Sequence, residues 1–392
     1  MGAKAWRLQC WECMQPVDFD RAPFLVIWET TLACELSCRH CRASAIPTRM
    51  PGELDTNEGK RLIDDVAAMG TPLIVFSGGD PGSRMDLAEL IAHAKSRGLR
   101  AATVPAATSY LSHATVRALK ESGCDQMAVS LDFPDAARHD AFRGHPGVFA
   151  RTIEAAAWAR EEGLPFQVNT CVFSESADSL DEMADRVAEL GAVFWEVFFL
   201  VPTGRGSALS GLTPARCEEL FGVLHRAQQR HGYVVKVTEA PHYRRYLRMR
   251  NAVEHGRAAP TSATNGAGIT GLARRGTNAG NGFLFVSHLG HVMPSGFLPL
   301  PVGNVRTQNI AEIYRESPFL KDLRNPERLG GKCGVCPFRI ECGGSRARAY
   351  AMTLDPFAAD PWCAYQPPVP ARSSPIPETR VLVSPSPRGG EG

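Results

Sequence analysis

The 392-residue sequence lacks the features that mark membrane, secreted and nucleic-acid-binding proteins. It has no apolar run long enough to cross a bilayer and no charged and then apolar leader. Its formal net charge is only +2, so we expect neither a nucleic-acid nor a membrane partner. These absences favour a cytoplasmic protein, and a hydrophobic content of 44% is enough for one large α/β domain and a smaller one.

Disulfide bonds are not expected either, although the chain has twelve cysteines. Most of them fall in tight clusters, which in a large intracellular chain favours metal ligation. Cys124, Cys171 and Cys217 are isolated in regular segments, and we interpret them as small buried apolar residues. Cys10 and Cys13 form a lone CxxC motif, a weak signal that we assign to an uninvolved tail over residues 1–21.

The densest cysteine cluster lies in the stretch WETTLACELSCRHCRASA over residues 28–45, which contains Cys34, Cys38 and Cys41. A structural zinc site takes four ligands, usually as two short pairs, so zinc is the weaker interpretation of three cysteines. A four-iron, four-sulfide cluster takes one cysteine per iron, so three cysteines leave one iron open to a substrate or cofactor. The alternative is that these are unrelated core cysteines.

The pattern of apolar runs predicts alternating strands and helices. An apolar run over 24–28 predicts a buried strand that delivers the cysteine loop at its carboxyl end, where α/β folds keep their chemistry. Five more predicted strands, each preceded by a helical pattern, cover 72–76, 101–104, 126–131, 166–173 and 193–200. Such repetition predicts a partial (β/α)6 TIM-like barrel, with a doubly wound sheet as the alternative.

The barrel core is expected over residues 22–206, and a further helix near 213–229 with a strand near 233–238 extends it. The whole extension, including a linker rich in Gly, Ala, Asn and Thr, spans 207–277. Residues 366–392 are rich in Pro, Ser and Gly and are expected to be disordered.

A second group of four cysteines lies near the end of the chain. Cys333, Cys336 and Cys342 are followed at a distance by Cys363. Four thiolates can close a site around zinc, but because the first cluster of cysteines predicts an iron-sulfur loop, a second four-iron cluster is the better interpretation. The sequence therefore predicts a small cysteine-rich iron-sulfur domain over 278–365.

The spacing of three and then two residues in the first cluster resembles the signature of the radical SAM superfamily. The resemblance implies that the open iron chelates S-adenosylmethionine (SAM), and that an electron from the cluster cleaves SAM to a 5′-deoxyadenosyl radical. It also implies an oxidoreductase that abstracts a hydrogen atom from its substrate. An external electron donor such as flavodoxin or ferredoxin is the implied partner.

The same resemblance suggests which residues bind SAM. Gly78, Gly79 and Asp80 resemble the family's GGEP element, which binds the SAM amino group, with Asp80 in place of the usual Glu. By itself, this stretch is equally an ordinary turn.

Further candidates lie at the ends of later strands. Ser130 and Asp132 are candidates for the SAM ribose and carboxylate, and Asn169 is another for the ribose. His40, inside the cysteine motif, is a candidate to stack near the adenine. From the residues alone, Asp132 equally suits a helix cap and His40 suits a polar loop position.

The region 278–365 resembles the SPASM domain that many radical SAM enzymes append. The full pattern has seven cysteines for two auxiliary clusters, but here Asn278, Ser295 and Arg346 stand at three of those positions. The resemblance therefore implies a single auxiliary cluster that transfers electrons or orders the domain.

Three segments, CGGSRARAYA, PTGRG and DPWCAY, most resemble segments of the radical SAM branch that modifies tetrapyrroles in haem synthesis. Arg205 of PTGRG is a candidate to hold an anionic substrate group, or an exposed arginine on a glycine turn. Modification of a ribosomal peptide is the alternative, disfavoured because only about 20 residues precede the first strand, too few for a winged-helix peptide-docking domain. A two-cluster electron carrier and a zinc-stabilised binding protein are the non-enzymatic alternatives.

Overall fold

A computed structural model describes residues 17–256 and 275–368. The Cys10 and Cys13 motif, most of the predicted linker and all but the first three residues of the predicted disordered tail therefore lie outside the described residues. Within the described ranges, no helix is long and apolar enough to span a membrane.

A single ten-stranded sheet forms the centre of the structure, in the order β10-β9-β8-β1-β2-β3-β4-β5-β6-β7. All neighbouring pairs from β8 through β1 to β7 are parallel, whereas β9 is antiparallel to β8 and β10. The strands are β1 Leu25–Glu29, β2 Leu73–Ser77, β3 Arg100–Thr103, β4 Gln126–Ser130, β5 Phe166–Val172, β6 Phe194–Phe199, β7 Val234–Thr238, β8 Phe283–Val286, β9 His291–Met293 and β10 Gly303–Asn304.

The consecutive order of β1 to β7 confirms the predicted barrel-type sheet and excludes the doubly wound alternative, in which the strand order reverses. All six predicted core strands and the extending strand β7 are present. The region after residue 278 adds β8 beside β1, so the sheet continues from the barrel into the C-terminal part of the chain.

Twelve helices accompany the sheet in the described ranges. They are α1 Thr56–Met69, α2 Leu87–Ser96, α3 His113–Glu121, α4 Ala136–Arg143, α5 Val148–Glu161, α6 Leu180–Leu190, α7 Pro214–Arg230, α8 His242–Glu254, α9 Ile310–Glu316, α10 Pro318–Arg324, α11 Gly331–Gly334 and α12 Arg346–Thr353. Helix α1 begins with a capping box, in which Asp55 and Glu58 each accept a hydrogen bond from the other's backbone N–H.

The side chains of β1 alternate between the two faces of the sheet. Val26 and Trp28 are fully buried on the helix-covered face. The Trp28 ring fits against Gly59 of α1 so closely that a Cβ on Gly59 would lie 2.4 Å from Trp28 Cη2. Ile27 and Glu29 therefore face the opposite, concave side, and so does Phe285, the register partner of Ile27 on β8.

Gly59→Ala tests this packing. Alanine normally stabilises a helix interior by about 1 kcal/mol relative to glycine. Here the added methyl group meets the Trp28 ring, and we expect overpacking to lower the free energy of unfolding by about 1–3 kcal/mol. Urea unfolding of the full chain measures the change.

The matched control is Gly222→Ala in α7, where a Cβ meets only the ends of the Arg226 and Tyr246 side chains, at 3.4 Å. We expect this variant to be neutral or stabilised. Equal effects of the two substitutions would contradict the close contact between Gly59 and Trp28.

Candidate metal centres and cofactor site

The first three cysteines lie in the loop that follows β1, at the carboxyl end of the parallel strands. Cys34 and Cys38 are buried, and Cys41 is half-buried. The backbone N–H of Leu36 donates to Cys34 Sγ at 3.4 Å, and that of Ala45 donates to Cys41 Sγ at the same distance. Burial raises the pKa of Cys34 to about 12, so metal binding at this thiol must release a proton.

Gly78 and Gly79 hold the cysteine loop through its backbone. The N–H of Gly79 donates to the Thr31 carbonyl and the N–H of Asp80 donates to the Ala33 carbonyl, both at 2.7 Å. A Cβ on Gly79 would lie 2.3 Å from the Ala33 oxygen. Only glycine permits this approach, so the motif forms one side of a cradle for the loop.

Asp80 lies below this contact with its carboxylate buried. It accepts hydrogen bonds from the backbone of Gly82 and Ala106, at 2.9 and 3.1 Å, and from Thr108 Oγ1 at 2.5 Å. Burial raises the pKa of Asp80, although these hydrogen bonds favour its charged form. An ionised carboxylate has about four acceptor positions, so one remains for a cationic ligand.

Gly204 and Arg205 form the other side of the cradle. Gly204 has φ +55°, and a Cβ there would lie 2.3 Å from the Arg42 carbonyl oxygen. The N–H of Arg205 donates to the Cys41 carbonyl at 3.0 Å, and its guanidinium donates to the carbonyls of Cys38 and Ala45 at 2.8 and 3.1 Å. Arg205 therefore anchors the cysteine loop, and neither interpretation drawn from the sequence included this role.

Helix α4, which the sequence analysis did not predict, places Arg143 beside Cys38. The Arg143 guanidinium lies 3.9 Å from Cys38 Sγ and forms a buried ion pair of 2.6 Å with Asp132. Burial by itself raises the pKa of Asp132, but Arg143, together with His40, His139 and the hydrogen bond from the Cys171 backbone, keeps that pKa below its usual value. The cap of α4 is Asp135, so the helix-cap interpretation of Asp132 is wrong.

His40 lies between the cysteines and α4. Its ring stacks on Phe142 with centroids 4.6 Å apart and an interplanar angle of 6°. Burial and the nearby Arg143 lower the pKa of His40 to about 3, which keeps the imidazole neutral. Its Nδ1 has no hydrogen-bond partner among the described residues.

Ser130 and Asn169 are register partners on β4 and β5. Ser130 lies two residues before Asp132 along the chain. Asn169 Oδ1 accepts from Gln167 Nε2 at 2.8 Å, whereas the Ser130 hydroxyl makes no hydrogen bond to a described residue. Six of the seven candidates for SAM therefore lie at or after the carboxyl ends of β1, β2 and β4, and the seventh, Asn169, lies in the middle of β5 beside Ser130.

The later four cysteines line one cavity, with about 330 Å³ of space that opens to solvent. The backbone N–H of Asp360 donates to Cys333 Sγ, and that of Gly344 donates to Cys342 Sγ, both at 3.5 Å. His242 also lines the cavity; it is fully buried, neither ring nitrogen has a hydrogen-bond partner among the described residues, and Nδ1 lies 3.6 Å from the Asp360 carboxylate. Because an unsatisfied buried polar group costs about 1–3 kcal/mol, this ring indicates that the cavity is built around a polar group.

The donor set suits a cluster. Among residues 17–256 and 275–368, no three Cys, His, Asp or Glu side chains converge on a position for a single metal ion. A four-iron cluster does not require several side chains to converge on one metal ion, because each of its irons takes a single thiolate from the protein.

The three residues at the expected positions of the missing cysteines bind other parts of the protein. Asn278 Nδ2 donates to the Gly344 carbonyl at 2.7 Å, and Ser295 Oγ accepts from the N–H of Phe297 at 3.0 Å. The buried Arg346 guanidinium donates to two backbone carbonyls at 2.8 and 2.9 Å and lies 3.8 Å from Cys333 Sγ.

Arg348 connects the C-terminal centre to the barrel. Its fully buried guanidinium donates to the carbonyls of Phe199 and Leu200, at 3.2 and 3.3 Å, where β6 ends. The same guanidinium lies 3.4 Å from the Asp360 carboxylate. The backbone N–H of Asp360 in turn donates a hydrogen bond to Cys333 Sγ. One arginine thus joins the C-terminal centre to the end of β6.

The sequence analysis missed Glu29, Arg42 and His288, which form a charged group at the mouth of the barrel. Arg42 lies 3.1 Å from Glu29, and His288 Nδ1 lies 2.7 Å from the same carboxylate. The sequence signal that could have identified Glu29 is a charged residue at the end of the apolar strand LVIWE. No sequence signal identifies its partner His288, which lies 259 residues further along the chain.

Comparison with known proteins gives a consistent result. The family profile described as the radical SAM superfamily matches residues 28–187. The AdoMet-dependent heme synthase of Nitratidesulfovibrio vulgaris is 41% identical over 345 residues, which cover 88% of this chain and 92% of that protein. The protein of the same name from Methanosarcina barkeri is 38% identical, with 90% and 99% covered.

Solved structures show the same fold. Streptococcus suis SuiB bound to S-adenosylmethionine has a TM-score of 0.68 and 16% identity, with 88% of this chain and 78% of that chain covered. Native anSMEcpe with bound AdoMet has a TM-score of 0.61 and 16% identity, with 86% and 93% covered. From its cysteine loop, its sheet and these relatives, we conclude that the chain belongs to the radical SAM superfamily.

Proposed function

We propose that this radical SAM enzyme modifies a side chain of a tetrapyrrole. The observation that carries the proposal is the 41% identity to an AdoMet-dependent heme synthase over about nine tenths of both proteins. A relative named Fe-coproporphyrin III synthase, 30% identical with 88% of each chain covered, supports the same substrate class. A protein named pre-heme d1 synthase, at 26% identity, extends the series.

In this proposal, Cys34, Cys38 and Cys41 hold the SAM-cleaving cluster. When bound, this cluster supplies the electron that cleaves SAM to the 5′-deoxyadenosyl radical, which removes a hydrogen atom from the substrate. The protein orients SAM and excludes water with residues that surround the cysteine loop. They are His40, Gly78, Gly79, Asp80, Ser130, Asp132 and Asn169.

Arg143 has a separate task in the proposal. Its guanidinium, fixed by Asp132, lies 3.9 Å from Cys38 Sγ and places a positive charge beside that thiolate. A donated hydrogen bond or a positive charge beside a cluster sulfur raises the reduction potential of the cluster. Arg143 therefore makes reduction of the first cluster easier, and Asp132 holds the guanidinium in position.

Cys333, Cys336, Cys342 and Cys363 hold one auxiliary four-iron cluster in a SPASM-like domain. Because each iron there has a protein ligand, this cluster suits electron transfer and not SAM binding. When a substrate propionate loses its carboxylate as carbon dioxide, its two remaining carbons become a vinyl group, and the side chain gives up one hydrogen atom and one further electron. In this proposal, a cluster held by these four cysteines would accept that electron.

The remaining partners follow from this chemistry. An external one-electron donor such as flavodoxin or ferredoxin supplies the reducing electron, and the enzyme acts in the cytoplasm on a small-molecule substrate. Modification of a ribosomal peptide ranks second, because the PqqA peptide cyclase of Methylocella silvestris is only 27% identical. The electron-carrier and zinc-protein alternatives are not retained, because the chain is a radical SAM enzyme.

Anaerobic turnover tests the substrate class. We expect the reconstituted enzyme, with SAM and dithionite, to convert iron coproporphyrin III to products that have lost carboxyl groups. Each lost group should accompany one 5′-deoxyadenosine, and mass spectrometry measures both. Formation of 5′-deoxyadenosine with an unchanged tetrapyrrole would contradict the proposal.

Two cysteine variants test the division of work between the clusters. We expect Cys38→Ala to abolish 5′-deoxyadenosine formation and to lower the iron content from about eight per chain towards four. We expect Cys333→Ala combined with Cys342→Ala to lower the iron content equally but to retain SAM cleavage.

Cys124→Ala is the control, because Cys124 is buried among apolar residues away from both centres. It should keep about eight irons and full SAM cleavage. Normal 5′-deoxyadenosine formation by Cys38→Ala, or its complete loss in the Cys333 and Cys342 double variant, would refute this assignment.

A further inference from the structure

Glu29, Arg42 and His288 form a buried polar group on the concave face of the sheet. The exposed fractions of their side chains are 5%, 19% and 12%. Arg42 follows Cys41 directly, and its guanidinium lies 4.4 Å above the Phe285 ring. Because Phe285 pairs in register with Ile27, this group lies on the concave face, next to the cysteine loop.

Glu29 fixes the orientation of the His288 ring. His288 Nδ1 lies 2.7 Å from Glu29 Oε2. Burial by itself raises the pKa of Glu29, but Arg42 and His288 together lower it, so the carboxylate is charged and accepts a proton-bearing Nδ1. In the tautomer that donates its Nδ1–H to Glu29, the imidazole has its lone pair on Nε2.

Nothing in the described part of the chain uses this lone pair. Among residues 17–256 and 275–368, the His288 ring has one hydrogen bond, which joins Nδ1 to Glu29, and Nε2 has none. A histidine whose Nδ1–H is held by a carboxylate and whose Nε2 is unbound has the arrangement of a metal-ligating histidine.

The surroundings suit a flat, largely apolar ligand. Phe198 on β6 and Phe297 in the C-terminal region approach each other with ring centroids 6.5 Å apart, and both rings are half-buried. Gly296, beside Phe297, would clash with Arg42 if it carried a Cβ, which would lie 2.8 Å from Arg42 Nε. The group of Glu29, Arg42 and His288 is thus continuous with an aromatic surface at the mouth of the barrel.

We propose that His288 Nε2 binds the iron of an iron tetrapyrrole as its axial ligand, with Glu29 as the residue that positions the ring. The inference rests on the proposed function, because it needs a substrate that contains iron. Binding forms one nitrogen-to-iron bond and displaces a water or other weak ligand from the iron. Arg42 holds the Glu29 carboxylate and does not touch the iron.

Titration of the reconstituted full-length enzyme with ferric coproporphyrin III, without SAM, tests the proposal. We expect the wild-type enzyme to give the optical and electron paramagnetic resonance signals of a nitrogen-ligated iron. His288→Ala should lose these signals and bind the iron compound about 10-fold or more weakly, and Glu29→Gln should weaken binding by about 10-fold. Added imidazole should restore the signals of His288→Ala.

Two controls separate the axial bond from the other contacts. His291→Ala removes an exposed histidine on β9 and should behave as the wild type. Metal-free coproporphyrin III should bind the wild type and His288→Ala equally, because it has no iron to ligate.

The outcomes distinguish the two proposals. Wild-type affinity and unchanged iron signals in His288→Ala would overturn the axial ligand and leave the proposed function intact. Binding of neither coproporphyrin by the wild-type enzyme would overturn both.

Discussion

The structure depends on how the loop with Cys34, Cys38 and Cys41 is held by its own backbone. Carbonyl groups along this loop accept hydrogen bonds from the N–H groups of Gly79 and Asp80 on one side and from Arg205 on the other. Two glycines allow these contacts, because a Cβ on Gly79 or Gly204 would overlap a loop carbonyl at 2.3 Å. The loop is thus fixed without using its thiols, which remain available for iron.

The two groups of cysteines are held by one connected set of strands and buried side chains. Strand β8 pairs with β1, and Arg348 joins the carbonyls at the end of β6 to Asp360 beside Cys333. A C-terminal region that is only tethered to a barrel would move relative to it. Here a continuous sheet and a buried arginine hold the two groups of cysteines at a fixed separation, which the proposed electron transfer between them would require.

Much of the fold was predictable because its signals are local. The cysteine spacing, the apolar strands and the capping box at Asp55 are each contained in a few neighbouring residues. Helix α4 was missed because its eight residues, AARHDAFR, bury few apolar side chains. The roles of Arg143, Arg205 and His288 could not be read from the sequence, because each contact joins segments more than 100 residues apart.

The central claim is that the first cluster has an iron without a protein thiolate and that SAM binds to this iron. The most direct test is the electron paramagnetic resonance spectrum of the reduced first cluster, recorded in the Cys333→Ala and Cys342→Ala double variant so that the auxiliary cluster does not contribute. We predict that adding SAM shifts the g values of this signal. An identical spectrum with and without SAM would contradict the account.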